Sequence, residues 1–347
     1  MRVQPEEILR FLIDSVEDHP NAVARLAADR FHLSRQTVNG YLRRLVADGL
    51  LRGTGATKGR SYALCVLAEH DETLAINAAL EEHVVWEKHV APSLAGVREN
   101  VLAICHFGTT EMVNNAIDHS GSPFVSVSVH RTAARIKITV LDAGIGVFRK
   151  IRESCGLESE HQALVELTKG KMTTDPVRHT GEGIFFTARM FDSFTLISGQ
   201  LSLLATRTGE DDWLFENKPQ ESPSTGTWAS MKIRPESEHT AQETFLRYAS
   251  AEDDFGFTKT RVVVNLARSA TDSLLVSRSQ ARRLLTRLDR FKVALLDFAG
   301  VDAIGPAFAD EIFRVFAASH PDVRLEVVAA NADVQLMIRR AQDSSEK

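Results

Sequence analysis

Residues 179–192 read HTGEGIFFTARMFD. Gly181 and Gly183 stand one residue apart at the mouth of a run, 184–191, whose apolar residues predict a helix. Glycine costs a helix interior about 1 kcal/mol relative to alanine, so two at its entry call for a reason. A helix N-terminus offers unpaired N–H groups and the positive end of the helix dipole. A backbone without Cβ atoms lets a ligand come close to those groups. The pair therefore reads as a cradle for an anion such as a phosphate chain, whereas a plain turn at a helix start needs one glycine. Neither this pair nor Gly144 and Gly146 in DAGIGV has the third glycine of a dinucleotide fingerprint, and no GxxxxGKS or GxxxxGKT run occurs. Rossmann and P-loop readings are excluded on that ground.

Upstream, FGTTEMVNNAIDHS (107–120) places Glu111, Asn115, Asp118 and His119 at i, i+4, i+7 and i+8, a polar stripe along one helix face. Val113, Ala116 and Ile117 supply its buried side. Two alternating runs follow, VSVSVHR and RIKITVLD, read as paired strands that end at Asp142, Gly144 and Gly146. The end of a strand is a place where ligands meet backbone. LTKGKMTTDPVRH, between this unit and the glycine pair, reads as a lid, with Lys171 and His179 as phosphate contacts.

The N-terminal 66 residues have a different character. Between positions 30 and 60 there are seven Lys/Arg (Arg30, Arg35, Arg43, Arg44, Arg52, Lys58, Arg60) against Asp48 alone, a local +6 in a chain of net charge −5. Apolar spacing predicts helices over 6–16, 21–30 and 34–48, the last with Ser34 as N-cap and with Arg35, Gln36, Asn39 and Arg43 outside. RGTGATKGRSYAL then reads as a Gly-rich hairpin. Residues 67–106 are read as polar connector helices whose His70, His83 and His89 lie on the surface.

The chain has 347 residues, with 44% hydrophobic and 25% charged, which suits an ordinary globular protein of two or three domains. No apolar run reaches the 18 or so residues of a membrane span, and the first residues lack a secretory signal pattern. Three scattered cysteines suit reduced thiols. The expectation is a cytoplasmic protein with no membrane partner.

The helix, helix, turn, helix, hairpin order, with LSRQTVNGYLRRLVADGLL, resembles a winged helix-turn-helix. The resemblance implies DNA contact through residues 34–60: Arg35, Gln36 and Asn39 toward base edges, and Arg43, Lys58 and Arg60 toward phosphates. The central motifs resemble the GHKL family of gyrase-type ATPases, anti-sigma-factor kinases and sensor histidine kinases, with a Bergerat-type α/β sandwich. EMVNN would be the N box, with Asn115 as the Mg²⁺ ligand and Asp118 beside the nucleotide. DAGIG would be the G1 box, with Asp142 accepting from the adenine amino group and Gly144 and Gly146 at the nucleotide. TGEGI would be the G2 box (Thr180, Gly181, Gly183), and TGTWASMKI would bring Thr227 to the base. The implied cofactors are ATP and Mg²⁺. Glu111 stands where gyrase-like ATPases and anti-sigma kinases carry a catalytic carboxylate, so hydrolysis, serine/threonine phosphotransfer and a pure binding switch all stay open. No paired-helix histidine segment is present, which disfavours a histidine kinase.

After PESEHTAQET (235–244), strands RVVVNLA, KVALLDFAG and VRLEVVAA alternate with helices over 277–288, 307–319 and 332–341. LLDFAGVDAIGPAFADEIFRVF resembles the STAS fold of anti-sigma-factor antagonists. The turn that carries the phosphoacceptor serine in that family reads IGPAFA here and has no hydroxyl, which implies a docking or regulatory module for a protein partner rather than a phosphorylation target. The expected organisation is a multidomain α/β chain: a winged helix (1–66), connector helices (67–106), a GHKL ATP-binding domain (107–236) and a STAS-like domain (245–347). A homodimer stays open.

Overall fold

A computed structural model describes residues 4–56, 59–171, 181–207, 213–216, 225–249, 258–267 and 274–343. Three helices open the chain, α1 (Pro5–Ser15), α2 (Val23–Phe31) and α3 (Arg35–Ala47), followed by an antiparallel hairpin of β1 (Leu51–Thr54) and β2 (Ser61–Leu64). Ser34 caps α3 as its sequence predicts, its hydroxyl accepting from the Thr37 N–H at 3.1 Å. Ile8, Leu12, Val23, Ala27, Val38, Leu42, Leu45, Leu51 and Tyr62 close a small core of their own. Surface ion pairs join this unit to the next: Arg135–Glu17 at 2.7 Å, Arg234–Asp14 at 3.9 Å and Arg10–Glu236 at 4.0 Å.

The connector is where the sequence reading fails. Residues Ala68–Ala75 form a strand, β3, before a short α4 (Glu82–Val85), a π-helical turn over Trp86–Val90 and a 3₁₀ turn over Ala91–Leu94. β3 pairs antiparallel with β4 (Phe124–Arg131) along its whole length, from Ala68↔Arg131 to Ala75↔Phe124. Its charged, half-exposed sequence reads as helix. At the open edge of a sheet, however, charged side chains are tolerated and discourage pairing with other chains, and backbone pairing overrides local propensity. The helix expected from 107 begins earlier, as α5 (Glu99–His119).

β3 and β4 continue into a seven-stranded antiparallel sheet with β5 (Ile136–Asp142), β6 (Ser193–Ser198), β7 (Leu201–Thr206), β8 (Trp213–Glu216) and β9 (Thr227–Ile233), in the order β3-β4-β5-β9-β6-β7-β8. Alternation places Val125, Val127 and Val129 of β4 and Ile136, Ile138 and Val140 of β5 in the core. Helices α5, α6 (Val147–Cys155), α7 (Glu160–Lys169) and α8 (Gly183–Met190) contribute to the same core. The interdomain break expected at 235–244 contains the start of α9 (Ala241–Tyr248), whose Phe245 and Tyr248 pack on Phe107, Phe185 and Phe186.

The last unit alternates as expected. β10 (Lys259–Val263), β11 (Val293–Asp297) and β12 (Arg324–Val328) form a parallel sheet in that order. α10 (Arg278–Leu285), α11 (Pro306–Asp310), a π-helical turn over Glu311–Phe316, α12 (Ala317–Ser319) and α13 (Ala332–Asp343) pack with it. Its core is continuous with that of the seven-stranded unit. No described helix is long and apolar enough to cross a membrane.

Candidate functional site

The inward phase of β5 runs Ile136, Ile138, Val140 and then Asp142. The alternation that builds the core therefore delivers a carboxylate to its end, only 6% exposed. Asp142 pairs across the sheet with Thr227 of β9, which pairs in turn with Ser198 of β6. A polar row thus crosses three strands at one end of the sheet. Burial pushes the Asp142 carboxyl above its ordinary range, and hydrogen bonds from Gly144, the Thr227 backbone and the Thr227 side chain pull it back. The Gly144 N–H donates to Asp142 Oδ1 at 2.8 Å. The Val147 N–H donates to Thr227 Oγ1 at 3.1 Å, tying the start of α6 to the same row.

Above this row lies a cleft of about 270 Å³. It is lined by Glu111, Asn115 and His119 of α5 and, beside Glu111, by Gly181, Gly183 and Ile184 at the start of α8. Val140, Ile151, Leu167, Leu196 and Ala229 provide apolar surface between them. An apolar slot with one buried carboxylate at its end suits a flat ring that carries an N–H donor, and the α8 N-terminus suits an anion.

The two glycines have separate reasons. Gly181 adopts φ +74°, a backbone that side chains rarely tolerate. A Cβ on Gly183 would lie 1.8 Å from Glu111 Oε2, so this glycine makes room for the carboxylate of α5 against the α8 N-terminus.

The structure gathers Glu111, Asn115, Asp142, Gly146, Gly181, Gly183 and Thr227 around the cleft and leaves three expected residues out. Asp118 is exposed; in its helical turn the lining position belongs to His119. Gly144 lies beneath the wall, packed so closely on the Ser120 carbonyl that a Cβ would approach it to 2.0 Å. Lys171 turns to the last unit: it donates to the Arg290 carbonyl at 3.0 Å, and its ammonium lies 4.9 Å from the Phe291 ring centre. Burial lowers its pKa, opposed by the Glu182 carboxylate and reinforced by Arg290. Thr180 and His179 fall outside the described residues. Asn114, Ser120, Val147 and Lys150 also line the cleft and were missed. For Lys150 a signal was available, since it follows Gly146 by one helical turn in GVFRK.

In the N-terminal unit Arg35, Gln36, Asn39 and Arg43 are all exposed on α3, and Arg60 is exposed on the hairpin with its guanidinium over the Tyr62 ring. Lys58 is outside the described residues. Several of these cations have partners within the unit: Arg44 pairs with Asp48 at 3.7 Å, Arg30 sits over Phe11, and Arg43 Nε donates to the Asn39 carbonyl at 3.3 Å.

The C-terminal unit meets the cleft through α7. Leu167 lines the cleft, and Lys169, two residues on, is 1% exposed. Its ammonium donates to Glu166 Oε1 at 2.5 Å and to the Thr286 carbonyl beyond α10 at 2.7 Å. The Thr260 hydroxyl donates to the Lys169 carbonyl at 2.6 Å. A family model described as a STAS-like domain of unknown function (DUF4325) matches residues 280–335. These residues are a STAS-like domain. No curated protein matches the chain. The STAS-like match holds most of α10 together with β11, α11 and β12, so Thr286, the partner of Lys169, belongs to it.

Proposed function

We propose that the central unit, 107–236 with β3 added at its sheet edge, is a GHKL module that binds ATP with Mg²⁺. Its occupancy biases the placement of a DNA-binding winged helix on one side and of the STAS-like domain on the other. The observation that carries this reading is the Asp142 row. A carboxylate at the buried end of an apolar cleft, braced by Gly144 and Thr227, matches the need of an adenine amino group for an acceptor. Asn115 would hold the metal, and the α8 N-terminus would receive the phosphates, whose negative charge the dipole favours. Bound Mg²⁺ would supply charge neutralisation at the phosphates.

The switch is supported by α7. Leu167 faces the cleft while Lys169 and Lys171 grip Thr286 and Arg290, so a ligand that shifts α7 also shifts the STAS-like domain. A second reading, an ATPase or a serine/threonine kinase acting on a separate partner, rests on Glu111. Its carboxylate lies against Gly183 at the proposed phosphate end, where a base would orient or deprotonate a water or a hydroxyl. The winged-helix assignment is supported by the exposed Arg35, Gln36, Asn39 and Arg43 on the third helix.

Calorimetric titration of the full chain with ATP, with and without Mg²⁺, tests the central claim, and a phosphate-release assay separates switch from enzyme. Binding that is saturable and Mg²⁺-assisted supports the module. Equal failure of ATP and other nucleotides to bind refutes it.

A further inference from the structure

Away from the cleft, at the open edge of the sheet, three donors converge that the nucleotide reading does not use. His70 and Glu72 alternate onto one face of β3, opposite the buried Val129 and Val127 of β4, and His89 comes from the π-helical turn packed over that face. The connector histidines were expected on the surface. His83 is exposed beside Glu81, but His70 and His89 are half-buried, with His70 Nε2 3.2 Å from His89 Nδ1. One nitrogen from each ring and one carboxylate oxygen of Glu72 lie within 4.8 Å of one another.

We propose that His70, Glu72 and His89 form a binding site for a divalent transition metal, with zinc the ion that fits best. Two imidazoles and a carboxylate are a zinc donor set, and at Zn–N lengths of about 2.0–2.1 Å two ligands of a tetrahedral site lie about 3.3–3.4 Å apart. The separation of the two ring nitrogens, 3.2 Å, is already close to that edge. Calcium and magnesium would prefer an all-oxygen set. Glu72 is exposed, so the fourth position faces water, as in zinc sites that exchange a ligand rather than closed structural ones. The ion would clip the strand that leaves the N-terminal unit, β3, to the turn at 86–90. π-helical turns often mark such functional positions.

The test is calorimetric titration of chelator-stripped full-length protein with zinc chloride alone. X-ray absorption then reads the ligands of the loaded wild type. One zinc per chain is expected, held by nitrogen and oxygen at 2.0–2.2 Å. His70→Gln or His89→Gln should weaken binding by more than the roughly 10–100-fold that loss of an outer partner costs. Absence of binding overturns the proposal. So does unchanged affinity in the His70→Gln/His89→Gln double variant, or a Zn–S distance near 2.3 Å, which would point to Cys65, Cys105 or Cys155 instead. The absorption result needs no variant, so a misfolded substitution cannot obscure the answer.

Discussion

Lys169→Met removes an ammonium that is 1% exposed and bound to two oxygens, Glu166 Oε1 at 2.5 Å and the Thr286 carbonyl at 2.7 Å. Methionine keeps most of the apolar stem, so packing changes little. What remains is a carboxylate 2% exposed and without its ammonium. Breaking one side of a buried pair costs about 3–5 kcal/mol, and the unmet Thr286 carbonyl accounts for about 1–3 kcal/mol of that. The double variant Glu166→Met/Lys169→Met removes the stranded charge and should recover all but the carbonyl's share. In the wild type, burial pushes the Glu166 carboxyl up while Lys169, Arg287 and Arg290 pull it down, and burial pushes the Lys169 ammonium down while Glu166 supports it.

Without Lys169 the largest downward influence on Glu166 disappears, and the folded chain then binds a proton more tightly than the unfolded chain. Stability of Lys169→Met should therefore fall as pH rises above the ordinary glutamate value of 4.5 and should approach that of the double variant below it. Urea unfolding at several pH values gives the comparison. All three tryptophans, Trp86, Trp213 and Trp228, lie outside the STAS-like match, so fluorescence follows the central unit while circular dichroism follows the whole chain. Because Lys169 ties α7 to the Thr286 carbonyl of the second unit, the two transitions should coincide in the wild type and separate in the variant. A loss below about 1 kcal/mol at neutral pH, or a double variant as unstable as the single one, would refute the assignment of the pair as a buried interdomain tie.

Four further outcomes are expected. Asp142→Asn should lower adenine selectivity. Wild-type ATP affinity should rise with pH as the burial-raised Asp142 carboxyl ionises above 3.8, a dependence that calorimetry should find flattened in the variant. Glu111→Gln should leave nucleotide binding nearly intact and, if the site turns over, lower phosphate release by roughly 10²–10⁴-fold in a coupled assay. Asn115→Ala should weaken ATP binding chiefly when Mg²⁺ is present, and titrations with and without the metal would expose an equal loss as evidence against a metal-ligand role. Arg43→Ala should weaken the full chain's binding to all duplexes alike and reduce the salt slope by about one, whereas Gln36→Ala should cost about 1–3 kcal/mol at a preferred site only, both read by fluorescence anisotropy.

Periodicity was a good guide wherever one face of an element meets its own unit's core. The β5 alternation, the Ser34 cap and the β/α alternation after residue 258 all follow from local pattern. It failed where a neighbour supplies the decisive surface. AEHDETLA has too little β-branched or aromatic content to declare a strand, and only β4 beside it makes it one. LTK, 167–169, was expected to open the lid; it instead ends α7, where Lys169 is buried against the STAS-like domain. Lys171 was expected over the phosphates for the same reason: its sequence neighbours are lid-like, but its ammonium finds Arg290 and Phe291 in a domain more than a hundred residues on.

Those failures share a location, and the location bears on mechanism. The Gly183–Glu111 approach, the Asp142 row and Leu167 belong to one cleft, and Glu111, Asp142 and Gly183 were each singled out from their own stretch of chain. The residues that sequence misplaced, Lys169 and Lys171, sit at the end of the same helix as Leu167 or just past it and turn to the last unit. A helix that lines a ligand cleft on one side and holds a buried ion pair against a second domain on the other cannot move for one without disturbing the other. If ATP binding shifts α7, the tie to Thr286 is stretched or released. If Lys169→Met loosens the tie, ATP affinity must change by the reciprocal coupling, because linkage between two binding equilibria is symmetric. Calorimetry on that variant thus reads the coupling directly: ATP affinity equal to the wild type would mean that the STAS-like domain rides on α7 without sensing the cleft.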